Sequence, residues 1–162
     1  MSTFYTFLND KFNLSTMKED IINTILNNIK VQVSKPQNPN AIQAATPANA
    51  GLGVTYTPSI TGRILIIVTG QVGNTNANEG ANIQLAYGTG TPPTNGSQAT
   101  GTVIGNSYAV MSGINNQYFP FTFTYVLTGL TIGTQYWFDL QANVIGSGNV
   151  MIQSVTVLII EF

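Results

Sequence analysis

The sequence predicts a mainly β protein: an antiparallel β-sandwich of jelly-roll type, with seven or eight strands and a short α-helical appendage at the N-terminus. Two observations predict this class. From residue 53 onward, short runs rich in β-branched and aromatic residues alternate with loops such as GNTNANEGA and GTGTPPTNGSQATG. Within the clearest runs, apolar residues recur at every second position, which is the period of a strand with one buried face.

The charged residues divide the chain into parts. They make up only 7% of the residues, against roughly a quarter in ordinary soluble proteins. Seven of the eleven charges lie in the first 35 residues, and the other 127 residues carry only Arg63, Glu79, Asp139 and Glu161. We therefore predict a helical anchor or oligomerisation segment over 1–34, a Pro/Ala/Asn linker over 35–51 and a β-sandwich head domain over 52–162.

The first 34 residues carry two apolar patterns of helical spacing. The clearer one begins at Thr16, a predicted N-cap with Glu19 at the third helical position, and continues to Val33. Such a helix needs a partner for its apolar face. We predict that it is an anchor or a helical bundle that joins several copies, and packing on the protein's own sandwich is the alternative. The predicted contact residues are Phe4, Phe7, Leu8, Phe12, Ile22, Ile25 and Ile29.

Two predicted strands are apolar on both faces. In the run 63–69, Leu65 and Ile67 alternate with three other apolar residues, and the run 150–161 has the same character. An antiparallel sandwich strand usually keeps one face in water, so a second apolar face requires a second cover. Another copy of the chain supplies that cover most simply. The predicted oligomer interface consists of Leu65, Ile67, Val155, Val157 and Ile159.

A compact corner joins the predicted strands 121–127 and 135–144. The residues between them follow the pattern L-x-G-L-x-x-G-x-x-Y. This pattern resembles the corner of fibronectin type III and related sandwiches, where a tyrosine hydroxyl bonds back to the upstream backbone. The predicted structural corner consists of Leu127, Leu130 and Tyr136.

One face of the strand 135–144 is mostly polar. It carries Gln135, Trp137, Asp139, Gln141 and Asn143. Such a face is expected to meet water or a polar partner. Trp137 is a candidate glycan contact because an indole ring can stack on a sugar, and the alternative is an ordinary, partly buried tryptophan.

Catalytic chemistry finds little support in the composition. Cysteine and histidine are absent, which removes thiolate nucleophiles, disulfides, Cys-type zinc sites and the usual general base. The Asn-rich loop 74–80 offers a calcium ion only Glu79, and the loop 88–96 lacks the lysine of a phosphate cradle. We expect no enzyme activity, no catalytic residue, no metal and no cofactor.

Nucleic acid and membrane are also disfavoured as partners. The predicted β domain has a single basic residue, Arg63, whereas phosphate neutralisation needs several cations. No apolar run approaches the length of a transmembrane helix, and the first residues lack the features of an export signal. We therefore expect a soluble protein made without a signal peptide.

Three segments in this order resemble the β domain of tailed-bacteriophage virion proteins. They are GRILIIVTGQVGN (62–74), GANIQLAYGTGTPPTNG (80–96) and PFTFTYVLTGLTIGTQYWFDLQAN (120–143). The resemblance is to trimeric head-fibre, decoration and tail-appendage proteins and covers residues 51–162. It implies a jelly-roll-like head that forms a homotrimer, with an N-terminal segment that fixes it to the particle.

These observations together predict a non-enzymatic virion protein, a homotrimeric head fibre or capsid decoration protein. Its expected partners are its own copies, a capsid or other virion protein bound through 1–34, and a host-surface glycan. Two alternatives stay open: a tail receptor-binding tip, and a monomeric glycan-binding module that has no need of an apolar helical appendage. A hydrolase is opposed by the absence of His and Cys.

Overall fold

The structure, a computed structural model, describes residues 14–162. Phe4, Phe7, Leu8 and Phe12, four of the predicted anchor residues, lie outside the described residues. Residues 14–162 form one helix and nine strands: α1 (Leu14–Asn27), β1 (Lys30–Val33), β2 (Ala48–Asn49), β3 (Val54–Tyr56), β4 (Ile64–Asn74), β5 (Glu79–Thr89), β6 (Thr102–Ser112), β7 (Gln117–Leu127), β8 (Tyr136–Ile145) and β9 (Val150–Glu161).

The strands form two antiparallel sheets that face each other. The first sheet has the order β1-β9-β4-β7, and the second has the order β2-β8-β5-β6, with β3 paired to β8 as well. When β3 is set aside, the first strand pairs with the last, the second with the second-last, and so on inward to the hairpin β5-β6. The chain is thus one long hairpin rolled into two layers, which is a jelly roll. The predicted fold class is confirmed.

The core lies between the two sheets and is filled by alternate residues of each strand. β4 contributes Ile64, Ile66 and Val68 to it. In β9 the inward positions change phase, because Ser154 has a positive φ of 55° and the pairing with β4 shifts between Thr69 and Gln71. Before this bulge Val150 and Ile152 point inward; after it the inward residues are Val155, Val157 and Ile159.

The N-terminal helix is shorter than predicted. It begins at Leu14, so Thr16 lies within its first turn, and it ends at Asn27. Lys30–Val33 is an edge strand in register with β9, because Asn27 and Asn28 favour helix ends and the valines that follow favour a strand. All α1 side chains from Thr16 onward are exposed. Within the protomer, α1 therefore does not bury its apolar face on the sandwich. No helix in residues 14–162 is long and apolar enough to cross a membrane.

The stretch 35–51 lies along the sandwich and differs from a free, extended linker. Gln37 and Ile42 form single bridges to Val155 and Val150 of β9, and 48–49 form β2. Ile42, Ala48 and Ala50 are buried. The prolines of this stretch limit regular pairing, but its small apolar residues still fit against the edges of both sheets.

Candidate functional site

The outward side of the first sheet carries a continuous apolar surface, which we call the outer apolar face. Register places two rows side by side across four strands: Val31, Ile160, Leu65 and Val126 in one row, and Val33, Leu158, Ile67 and Thr124 in the next. Val31 and Val33 are each 60% exposed, and Val126 is 56% exposed. The seven apolar members define the face: Val31, Val33, Leu65, Ile67, Val126, Leu158 and Ile160.

Charge is nearly absent from the outer apolar face. Neither row contains an ionisable residue. The nearest charge beyond them along β4 is that of Arg63, whose guanidinium carbon lies 5.1 Å from the ring centre of Phe162, a cation–π geometry. This surface therefore offers apolar contact without a cost for desolvating charged groups.

The predicted oligomer interface requires a correction in β9. Leu65 and Ile67 lie on the outward side of β4, half-buried. Val155, Val157 and Ile159 are buried in the protomer core, so they are not available to a second copy. Leu158 and Ile160 take the outward positions. The alternation in the sequence separates the buried residues of β9 from the outward ones, but it does not say which set faces inward. The phase change at Ser154 decides that.

The described anchor residues, two of them in α1 and the third, Ile29, between α1 and β1, are open to solvent. Ile22, Ile25 and Ile29 are all exposed, together with Ile21 and Leu26. They precede β1 in the chain, the edge strand that carries Val31 and Val33 of the outer apolar face.

The corner residues lie in and beside the connection between β7 of the first sheet and β8 of the second. The hydroxyl of Tyr136 accepts a hydrogen bond of 3.0 Å from the backbone N–H of Thr131. Leu130 is buried and its N–H donates to the carbonyl of Gly62, while Leu127 packs partly buried against the core. Their place is structural.

Trp137 does not offer a ring for stacking, which corrects its assignment as a glycan contact. Its side chain is only 4% exposed and lies against Gly88 and Gly101. Its Nε1–H donates to the carbonyl of Thr89 at 3.1 Å. No local pattern in the sequence indicates that the loop after β5 folds over this face of β8.

Beside the covered tryptophan, the outward side of the second sheet forms an open groove of about 410 Å³, which we call the amide groove. Gln141, a buried member of its lining, is held on both sides: its Oε1 accepts from Gln84 at 2.8 Å and its Nε2 donates to the carbonyl of Thr100 at 2.7 Å. Asn49 donates to the carbonyl of Gln98 at 2.7 Å and so holds the same loop. The lining is Thr46, Pro47, Gln84, Gln98, Ala99, Thr100, Gly101, Val103 and Gln141.

Two buried carboxylates are both engaged by backbone. Asp139 accepts from the N–H groups of Gly51, Leu52 and Leu140 at 2.9–3.0 Å. Burial raises the pKa of Asp139 to about 6, although these three donors act in the opposite direction. It holds the segment before β3 on β8.

Glu161 sits in a nest of backbone donors. Its carboxylate accepts from the N–H groups of residues 59–62 and from the hydroxyl of Tyr56. Burial raises the pKa of Glu161, but the four backbone donors together outweigh burial and bring it down to about 2. Among residues 14–162 no group of three metal-ligating side chains occurs. The buried carboxylates thus serve the fold, and the described chain shows no catalytic constellation.

Sequence comparison finds no matching protein family and no matching curated protein. Structure comparison does find similar chains. A chain of the T13 IBDV viral particle superposes with a TM-score of 0.51 at 7% identity, over 83% of this chain and 31% of that one. What is shared is the fold.

Two further structures are similar to a lesser degree. One is infectious bursal disease virus, Gt strain, with a TM-score of 0.46, 11% identity, and coverage of 82% of this chain and 33% of that one. The other is the VP2 subviral particle of infectious bursal disease virus, with a TM-score of 0.45, 11% identity and the same coverage. The chain spans about a third of the length of the structures it resembles.

Proposed function

We propose that this chain is a non-enzymatic structural subunit of a virus particle, and that copies associate through the outer apolar face. The outer apolar face is the observation that carries the proposal. A contiguous apolar patch on a protein surface is often an interaction site, and the two rows of this face contain no ionisable residue. The jelly roll shared with a viral particle protein supports a place in a virion, and the near absence of charge beyond residue 35 suits a protein held in an assembly.

The size of the face indicates that a second surface takes part. Four strands about 4.8 Å apart and two rows about 7 Å apart give a footprint on the order of 200 Å². A stable interface buries about 800 Å² on each partner. The exposed isoleucines of α1 precede β1 in the chain and offer additional apolar area. We therefore assign self-association to α1 and the outer apolar face together.

The finer assignment is a homotrimeric head fibre or capsid decoration protein of a tailed bacteriophage. The segments 62–74, 80–96 and 120–143 support it by their resemblance to such proteins. In this arrangement residues 1–34 dock on a capsid or other virion protein and the sandwich projects outward. Ile22, Ile25 and Ile29 support the anchor because the protomer leaves them exposed.

The test is the mass of the full chain in solution, measured by light scattering with multi-angle detection. We expect three chains for the unchanged protein and one chain for Ile67→Asp and Leu158→Asp, because a charge buried in an apolar contact is costly. Ile114→Asp is the matched control: Ile114 is 63% exposed in the loop between β6 and β7, away from both rows. It should remain a trimer.

Two outcomes oppose the proposal. A monomeric unchanged protein removes self-association and favours the glycan-binding module. A trimer that persists in both aspartate variants would show that the contact between copies lies outside the outer apolar face. A tail receptor-binding tip differs from a head protein by its place on the virion, which gold labelling of particles with an antibody against the chain resolves.

A further inference from the structure

We propose that the amide groove is a binding site for a neutral carbohydrate. Its volume of about 410 Å³ lies within the usual range of small-ligand sites, about 300–1,000 Å³. Its lining contains three glutamines and two threonines but no charged side chain. Carboxamides both donate and accept hydrogen bonds, as sugar hydroxyls do, so the groove matches a polyhydroxylated ligand.

The polar groups of the groove are positioned before any ligand arrives. Gln141 is buried and fixed by Gln84 on one side and by the carbonyl of Thr100 on the other. Asn49 ties the loop wall to the sheet through Ser97 and Gln98. A wall held in place does not have to be ordered on binding, which lowers the entropic cost of association.

Hydrogen-bonding capacity remains free on the open side. Within residues 14–162, the side-chain amide of Gln98 makes no hydrogen bond to the chain, and Gln84 uses only one N–H of its amide. Pro47 and Val103 add apolar surface for the C–H faces of a sugar ring. The groove therefore offers both kinds of contact without needing the covered ring of Trp137.

The absence of charge selects against acidic sugars and phosphate. The carboxylate nearest in sequence to Gln141 belongs to Asp139, which is buried and directed to the N–H groups of Gly51 and Leu52. No cation in the lining can pair with a ligand anion. An anionic ligand would lose its hydration without compensation.

The groove and the outer apolar face point in opposite directions. Gln84 and Gln141 alternate along their strands with the core residues Leu85 and Leu140, so they lie on the outward side of the second sheet. Association through the first sheet leaves the groove open. Carbohydrate binding in the groove does not require the oligomer. The binding experiment and the measurement of the trimer mass therefore test the two proposals independently.

The experiment is saturation-transfer difference NMR on the full chain with lactose, N-acetyllactosamine, maltose and mannobiose, each at about 10 mM, which detects the weak affinities typical of small sugars. We expect transfer to at least one of them. Gln98→Ala should weaken it about tenfold, and Ala99→Phe, which fills the groove, should abolish it. Gln153→Ala is the control, an amide on β9 that bonds only Gln71.

Three results would overturn the proposal. They are no saturation transfer to any of the four sugars, the same saturation transfer in Ala99→Phe as in the unchanged protein, or loss of saturation transfer in Gln153→Ala. Trp137 emission in each variant reports whether the groove wall has kept its place, because the indole lies directly beneath Gly101. If Ala99→Phe alters that emission, the comparison of Gln98→Ala with Gln153→Ala decides the result. Neither glutamine side chain makes a hydrogen bond to the backbone of residues 14–162, so its removal should leave the fold unchanged.

Discussion

The hydroxyl of Tyr56 donates a hydrogen bond of 2.9 Å to the carboxylate of Glu161, 105 residues further along the chain. This contact is buried, and it ties the strand that follows the 35–51 stretch to the end of β9. Burial, together with the neighbouring Glu161 carboxylate, raises the pKa of Tyr56 to about 12. The pair therefore stays as a neutral phenol and an ionised carboxylate throughout the physiological range.

Replacing Glu161 by Gln should destabilise the protein by about 3 kcal/mol, because a charge-assisted acceptor is lost and an amide N–H₂ is brought against buried backbone donors. Urea unfolding followed by Trp137 fluorescence measures it. Glu79→Gln is the control, since Glu79 accepts only an exposed bond from Ser147, and it should change stability by less than about 0.5 kcal/mol. Equal stabilities for the two variants would contradict the role assigned to the nest.

The two buried carboxylates should give opposite pH dependences. The pKa of Asp139 is raised from 3.8 to about 6, so the folded state binds this proton more tightly and stability rises as pH falls from about 6 towards 4. The pKa of Glu161 is lowered from 4.5 to about 2, so its contribution is complete above about 4.5 and is lost as pH falls towards 2.

The net result should be a stability maximum near pH 4, where the gain from Asp139 and the loss from Glu161 balance. Urea unfolding at a series of pH values checks this, with a gain of about 1 kcal/mol between pH 7 and pH 5. Asp139→Asn should remove that gain while leaving the loss below pH 4.5. A wild-type profile that falls steadily from pH 7 to pH 5 would show that the Asp139 carboxyl is not the group that burial perturbs.

Neighbouring isoleucines in β9 should behave differently because they lie on opposite faces. Ile159 is fully buried, and Ile159→Ala should cost about 2–4 kcal/mol of stability. Ile160→Ala removes a half-buried side chain of the outer apolar face, so the protomer should lose about 1 kcal/mol or less. Chemical unfolding of both variants, below the concentration at which copies associate, makes the comparison. The reverse order would place the wrong face inward.

A methyl group at Gly101 should disturb the covered tryptophan. A Cβ there would meet the Trp137 ring and the Tyr87 carbonyl, and φ is +86°. Gly96 has a similar φ of +75° with open space around its Cβ position, so Gly96→Ala isolates the backbone cost of about 1–2 kcal/mol. Gly101→Ala should cost at least twice as much and shift the emission of Trp137, the single tryptophan. Identical costs would mean that the loop yields freely.

Two truncations should separate the helix from the sandwich. A chain that begins at residue 28 loses only exposed helix among its described residues, so its melting temperature in dilute solution should match that of the full chain. A chain that begins at residue 35 also loses β1 and the Ser34 hydrogen bonds to Val157, and it should melt several degrees lower. If both truncations melt alike, β1 contributes nothing to the sheet.

The sequence predicted the strands whose apolar period is long and regular. Phe121, Phe123 and Tyr125 mark β7 with one wet side, and the two-sided run of β4 marks a central strand. β6 is less regular, because Gly105, with φ +67°, interrupts the alternation of its residues. The structure keeps one strand there and absorbs the interruption as a register shift against β5 between Ile83 and Leu85.

Other features depend on contacts between distant parts of the chain, which no local pattern contains. The valines of β1 continue the helical spacing of the isoleucines before them, so the local pattern predicts a helix. Pairing with β9 makes this segment a strand instead. The amide groove needs Asn49, Gln84, Thr100 and Gln141, which come from four separate segments. A polar face on β8 was visible in the sequence; its partial cover by a loop was not.

The rolled hairpin has a consequence for how the chain reaches its native state. Only β5 and β6 are both neighbours in sequence and partners in a sheet; every other strand of the two main sheets waits for a partner that lies farther away. Folding of such topologies is slow because the entropy cost of closing long loops comes before the favourable energy of the contacts that those loops allow. Strands that are apolar on both sides, such as β4, stay unpaired during that interval. Copies that meet too early would therefore aggregate, so the rate of folding relative to the local concentration of nascent chains sets the yield of native subunits.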